Sequence, residues 1–255
     1  MEDGGKNPIQ VAGKLFAVIE LLAEHGPMGI MELSTSLGFH KSTVHRLVTS
    51  LQQLGYVRQD EESMKYGLSL KFLEISGKIL DRTDMTALVH PYLKRLSEQT
   101  RETVHLVRRE GTEAVYIDKE EDGAGSIRMI SRVGSRIPLY CSGVGKALLA
   151  EMEDREIREI WEHSRILRLT PKTITELDGL MEHIEAVRKN GYALDDEENE
   201  EGVRCVAVSL PDYHKRPVYA MSISAPAARM TEERIEKLGE DVLKIKKELS
   251  AAMGF

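Results

Sequence analysis

The stretch KSTVHRLVTSLQQL, Lys41 to Leu54, repeats apolar residues at Val44, Leu47, Val48, Leu51 and Leu54, and Gly55 follows it directly. Steps of three, one, three and three put those side chains on one stripe of a helix that begins near His40 to Ser42, and the glycine supplies its C-terminal cap. With the stripe turned inward, the outward set is Lys41, Ser42, Thr43, His45, Arg46 and Thr49. A chain that spends a helix this way needs other helices to cover the stripe and something outside to meet the polar row.

Two other helical signals come first. From about Ile9 to Glu24, Val11, Leu15, Val18, Ile19 and Leu22 share a face until His25-Gly26-Pro27 stops the helix. Ile30 to Leu37 forms a second helix that ends at Gly38. After Gly55, Tyr56 to Arg58 and Met64 to Leu68 read as two short strands around the polar turn Gln59 to Ser63. Three helices and a hairpin predict a winged helix-turn-helix, the form that offers its third helix to the DNA major groove and touches flanking phosphates with the wing. Ser42, Thr43 and Thr49 are short enough to let the helix approach the groove, and Arg46 carries the planar fork that suits guanine or phosphate. Arg58 and Lys65 stand on the wing. Each of these residues alone would equally suit a helix cap or a solvated face; the whole arrangement is what points to DNA.

The net charge of −7 argues against a nucleic-acid binder if it is averaged over all 255 residues. The average hides a local exception. From Leu33 to Gln59 there are 27 residues without one Asp or Glu, where the chain's 42 acids would place about four. Two cysteines far apart, Cys141 and Cys205, make neither a disulfide framework nor a thiolate zinc site, and no metal or cofactor is expected. No apolar run is long enough to cross a membrane, and MEDGGKNPIQ at the N-terminus has no basic or apolar leader, so a cytoplasmic location is expected.

Beyond a linker helix starting near Leu70, with Leu70, Leu73, Ile79 and Leu80 as its apolar positions, and a helix from Met85 to Thr100, the texture changes. Strand candidates at 104–107, 114–117, 127–130, 206–210 and 219–224 alternate with helices near 143–150, 154–162 and 176–190. A final helix opens at Thr231, with Ile235, Leu238, Val242, Ile245 and Leu249 as its seam. The expected class is α+β, organised as a winged helix-turn-helix over residues 1–72, a linker helix over 73–84 and a second domain over 85–255.

Ser142-Gly143-Val144-Gly145-Lys146 is a small-residue entry into an apolar helix, a place where exposed N–H groups can hold a carboxylate and equally a tight strand-to-helix turn. Asp195 to Glu201 is an acidic run of the kind that usually forms a solvated loop. Val203 and Cys205 alternate onto one face of the strand that follows it, and Ser222 and Ser224 do so in a later one. Two hydroxyls on one face need partners if buried, and a polar ligand would supply them.

GIMELSTSLGFHKSTVHRLVTSLQQLGY at 29–56 and KYGLSLKFLEISG at 65–77 resemble the winged-helix domain of the IclR family of bacterial transcriptional regulators. SRIPLYCSGVGKALLA at 135–150, DDEENEEGVRCVAVSL at 195–210 and AMSISAPAARMTEER at 220–234 resemble the effector domain of the same family, so the likeness covers nearly the whole chain. The resemblance implies a GAF-like effector domain that binds a small organic acid. The backbone at Gly143 and Val144 would hold the carboxylate, Asp195 and Cys205 would meet polar groups, Ser222 and Ser224 would complete the hydrogen bonding, and Met129, Ile137 and Val203 would be apolar walls. Val144 stands where many relatives carry alanine, which narrows the mouth of the site. Residues 65–76 and 127–150 look most like the subgroup that represses pectin and hexuronate catabolism in response to 2-keto-3-deoxygluconate. Arg128, Arg132 and Arg136 could add positive potential for a sugar acid or form surface salt bridges. The implied partners are a pseudo-palindromic double-stranded operator, a small-acid effector and further copies of the chain in a homodimer or homotetramer. The alternative of another class is an enzyme with Cys205 as nucleophile and Asp195, His105, His163, His183 or His214 nearby; no GxSxG, HExxH, Walker or dinucleotide motif supports it.

Overall fold

The computed structural model describes residues 9–80, 84–121, 131–212 and 216–253, and the chain divides into two compact units, 1–83 and 84–255.

In the first unit, α1 (Gln10–His25), α2 (Ile30–Leu37) and α3 (Lys41–Gln53) precede an antiparallel hairpin of β1 (Val57–Gln59) and β2 (Tyr66–Leu68), which a bridge between Met28 and Tyr66 widens. The core is the apolar set the periodicity picks out: Val18, Leu22, Leu33, Val44, Leu47, Val48 and Leu51, closed by Val57 and Tyr66 of the hairpin. α3 ends in a double closure, Gly55 N–H to the Gln52 carbonyl and Tyr56 N–H to the Leu51 carbonyl, both at 2.9 Å. The closure needs the left-handed backbone that Gly55 adopts at φ 79°. Leu54, expected on the buried stripe, is 54% exposed, because it caps the helix beyond the elements that α3 packs on. A fourth helix, α4 (Lys71–Leu80), follows, with Leu70 and Leu73 exposed.

The second unit is one six-stranded antiparallel sheet in the order β5-β4-β3-β8-β7-β6. Its elements run α5 (Met85–Thr100), β3 (Thr103–Glu110), β4 (Glu113–Glu120), β5 (Arg136–Pro138), α6 (Gly143–Ala150), α7 (Asp154–Glu162), α8 (Leu177–Asn190), β6 (Ala193–Asp196), β7 (Val203–Pro211), β8 (Pro217–Pro226) and α9 (Glu232–Ala252). The strand candidates hold except 127–130, which lies outside the described residues; β5 and β6 are additional and short. Alternation along the central strands splits the side chains between two cores. Val104, Leu106, Val206, Val208, Leu210, Met221 and Ile223 pack with Leu93 of α5 and the α9 seam. Val107, Ala207 and Ala220 pack on the opposite face with α6, α7 and α8. The buried part of the first face is apolar, with Asp118 and Glu120 of β4 meeting His90 of α5 beside it, whereas the second face carries Thr103, His105, Cys205, Ser222 and Ser224.

The turn from β5 into α6 is the tightest point of the second unit. A Cβ added at Gly145 would stand 2.1 Å from the Leu139 carbonyl oxygen, so only glycine lets the helix lie against the chain that leads into it. Gly145→Ala is expected to destabilise the second unit by about 3 kcal/mol, the upper range for overpacking, read as a lowered thermal midpoint while α1 to α3 keep their stability.

Candidate nucleic-acid interface and ligand site

α3 is aimed by its neighbours. The Ser34 hydroxyl on α2 donates to the Phe39 carbonyl at 2.6 Å and fixes the turn between α2 and α3, and the buried stripe then sets the rotation of α3. Lys41, Ser42, His45 and Arg46 are exposed as a result, with Thr43 and Thr49 half-buried along the edge. Among the described residues, none of these six side chains is held by a hydrogen bond or ion pair. The first turn of α3 has no acid and no side-chain cap, so its N–H groups and dipole favour an anion on the face that carries Lys41.

On the wing, Arg58 is exposed and Asp60 holds the turn by accepting from the Ser63 N–H at 2.8 Å. Lys65 is less free than its position suggests, since its Nζ lies 3.3 Å from Glu32 Oε1. Glu32 also accepts the Gly29 N–H at 2.7 Å, and that bond first, then Lys65, holds its carboxyl below the usual range. Both partners are solvated, so a phosphate can compete for Lys65.

In the second unit, strand register brings most of the expected ligand residues together. Asp195 pairs with Cys205 and Cys205 with Ser224, which in turn opposes Thr103; in the next row Ala207 pairs with Ser222, which opposes His105. The start of α6 lies over these rows, and a Cβ on Gly143 would meet Ala207 Cβ at 3.4 Å and Asp195 Cβ at 3.6 Å. Ser142 caps the helix by accepting the Gly145 N–H at 3.1 Å, which leaves the N–H groups of Gly143 and Val144 as the ones the helix does not satisfy. Val144 and Ile137 are buried in the core beside this start, and Val203 is half-buried at the end of β7. Met129 and Arg128 lie outside the described residues. Arg132 is exposed in a turn, and Arg136 pairs at the surface with Glu110 at 2.7 Å and Glu113 at 3.4 Å.

The acidic run is a folded corner and not a solvated loop. Asp195 and Glu198 are buried, and Asp195 Oδ1 accepts the Glu198 N–H at 2.8 Å. Beneath them Lys146, with no exposed surface, pairs with Glu198 Oε1 and lies 3.3 Å from His183 Nδ1. Among the described residues, Glu198 Oε2 has no hydrogen-bond partner. Burial first, then the neighbouring Glu198, pushes the Asp195 carboxyl up to about 7. The helix-entry reading of SGVGKALLA gives Lys146 no role of its own, although a lone lysine among residues destined for a core signals a buried charge in need of an acid.

His105, which the sequence offers only as a possible catalytic neighbour, stands with Ser222 and Ser224 on this face of the sheet. Its Nε2 lies 2.7 Å from Ser131 Oγ and its Nδ1 3.3 Å from Ser224 Oγ, with the Tyr116 ring 5.0 Å away. Burial lowers it to about 3, so it is a neutral hydrogen-bonding group. Burial also pushes the Cys205 thiol far up, and a neutral imidazole and a neutral thiol make no activated nucleophile. His163 is exposed on its own helix, and His214 lies outside the described residues.

Two family models match the chain: the IclR helix-turn-helix domain over residues 11–61 and the bacterial transcriptional regulator IclR C-terminal domain over 77–251. The HTH-type transcriptional regulator KdgR of Escherichia coli is 37% identical over 255 residues, covering 99% of this chain and 97% of that protein. The Dickeya chrysanthemi KdgR is 38% identical over 233 residues, 91% of this chain and 76% of that protein. The Thermotoga maritima IclR structure aligns with a TM-score of 0.64 at 34% identity, over 96% of this chain and 98% of its own. The C-terminal domain of E. coli KdgR aligns at 0.61 and 34% identity, over 68% of this chain and all of that domain. These relatives are regulators and not enzymes.

Asp195 gives the second unit a pH signature. Its folded value lies above the 3.8 of a free aspartate, so between about pH 4 and pH 7 the folded chain keeps a proton that the unfolded chain loses. Stability therefore falls as pH rises through that window. Asp195→Asn removes this contribution, and its thermal midpoint is expected to gain on the wild type from pH 4 to pH 7 in parallel melts.

Proposed function

Because the chain belongs to the IclR family of bacterial transcriptional regulators, we propose that it represses a carbon-catabolic operon and releases its operator when a small organic acid binds the second unit. The observation that carries the reading is a contrast between the units. The first leaves Lys41, Ser42, His45 and Arg46 exposed on one helix face and unpaired among the described residues, while the second buries Asp195, Ser222, Ser224 and His105 on one face of a sheet. Polar groups of the first kind await a solvated polyanion, and those of the second kind await a small molecule.

Lys41, Ser42, Thr43, His45, Arg46 and Thr49 read the groove in this account, with Arg58 and Lys65 on flanking phosphate. Copies of the chain pair on a pseudo-palindromic operator as a dimer or tetramer, in the cytoplasm. The effector carboxylate meets the N–H groups of Gly143 and Val144. Hydroxyl and oxo groups meet Asp195, Cys205, Ser222 and Ser224, against Met129, Ile137 and Val203. A monocarboxylate with several hydroxyls, such as 2-keto-3-deoxygluconate, suits that inventory and agrees with the likeness to the KdgR regulators.

Substitutions separate the two halves. Arg46→Ala is expected to weaken operator binding about tenfold or more and leave effector binding unchanged; normal affinity would remove α3 from the interface. Asp195→Ala and Cys205→Leu are expected to keep operator affinity and lose the effector response. A thermal-shift series with 2-keto-3-deoxygluconate, glyoxylate, pyruvate and hexuronates identifies the ligand, since one that binds only the native state raises the midpoint. No stabilisation by any of them would reject this effector class.

A further inference from the structure

The end of α3 is fastened to the start of α4 by contacts that neither the core nor the polar row requires. Lys71, the first residue of α4, donates from Nζ to the Leu54 carbonyl at 2.7 Å, and Nζ sits 4.4 Å from the centroid of the Tyr56 ring. The Ser69 hydroxyl donates to the Gly55 carbonyl at 2.5 Å, and the Ser69 N–H donates to the Tyr56 carbonyl at 2.9 Å. Ser69 Oγ also accepts the Lys71 N–H at 3.2 Å, and the rings of Tyr56 and Phe72 lie 5.1 Å apart. The carbonyls at the end of a helix carry partial negative charge and lack intrahelical donors, so an ammonium there is favourable twice over, as a donor and against the dipole.

We propose that Lys71 is a positioning residue for DNA recognition, making the C-terminal end of α3 and the first turn of α4 one rigid piece so that α4 sets the angle of the recognition helix. The proposal rests on α3 being the groove-reading element. It is distinct from a phosphate contact. Lys71 acts at the end of α3 opposite Lys41 and Ser42, through the Leu54 carbonyl and the Tyr56 ring. A lysine whose ammonium is spent on a carbonyl and a ring orients a helix; one that neutralises phosphate releases counterions, and salt dependence tells the two apart.

The test uses the full chain and the duplex that the wild type enriches from a random library. Lys71→Met keeps the apolar stem and removes the donor; Lys71→Arg restores a donor and a cation for the ring. Lys71→Met is expected to bind the enriched duplex about tenfold more weakly, with the salt slope of the wild type, an unchanged thermal midpoint and a reduced preference for that duplex over random DNA. Lys71→Arg is expected to recover most of the affinity. Wild-type affinity in Lys71→Met overturns the proposal. So does a salt slope smaller by about one, which would make Lys71 a phosphate contact. A lowered midpoint that Arg does not rescue also overturns it, by making the role purely structural. Arg46→Ala is run alongside: if it binds normally, the recognition-helix reading fails and the proposal with it, whereas if only Lys71→Met binds normally, the proposal fails alone.

Discussion

A lysine with no exposed surface is the constraint on which the second unit depends. Lys146 enters the core on α6, where among the described residues Glu198 and His183 receive its ammonium, and a buried charge without a counter-charge costs several kcal/mol. The corner after β6 must therefore fold inward to deliver Glu198, and in doing so it buries Asp195 beside it. Gly143 then lies against Asp195 and Ala207, so the start of α6 cannot lift from the sheet without breaking the pair. One charge thus holds together the helix start, the acidic corner and the strand pair β6–β7, the three elements that supply most of the proposed ligand residues. The assembly is costly as a stabilising device, since an apolar core of the same volume would do as well. Its value lies in fixing polar groups in a dry place.

The units spend polarity in opposite ways. α3 buries four apolar side chains and leaves its polar row to solvent, a face that gains energy only from a partner that brings opposite charge. The sheet of the second unit does the reverse on its α6 side, turning hydroxyls, a thiol and an imidazole inward. His105 joins Ser131 and Ser224 into one chain of hydrogen bonds, so displacing one member disturbs the rest.

Sequence made the first unit almost fully legible, because its helices are amphipathic and bounded by glycines and proline, and period and punctuation are local properties. The miss at Leu54 came from letting the period run past the end of the core. In the second unit the long strands were legible from their apolar runs, while β5 and β6, with three and four residues, were too short to show alternation. The proposed ligand residues come from the family likeness; physical reading alone leaves Gly143 open between a turn and a site and takes the run at Asp195 for a solvated loop. Register accounts for the difference, since Asp195, Cys205, Ser224 and Thr103 become neighbours only when four strands pair, and no local window contains that information. The acidic run was misread for the same reason, as its partner Lys146 lies 52 residues away.

Linkage ties these features into one argument. An effector that lowers operator affinity must itself bind less tightly to the operator-bound form, by the same factor. On the proposed function, the ligand site has to exist in two arrangements of unequal affinity, and a site of independent side chains would change only gradually. The Lys146–Glu198 pair and the Asp195 corner admit fewer options: the corner is folded with its charges matched, or it is opened with a buried ammonium exposed to water. An anion at the proposed carboxylate position, the start of α6 beside Asp195, acts on that balance directly, because it adds negative charge next to the corner whose Glu198 neutralises Lys146. Coupling free energies of about 1–3 kcal/mol are common for allosteric pairs, and a small change in how well one buried charge is matched is of that size.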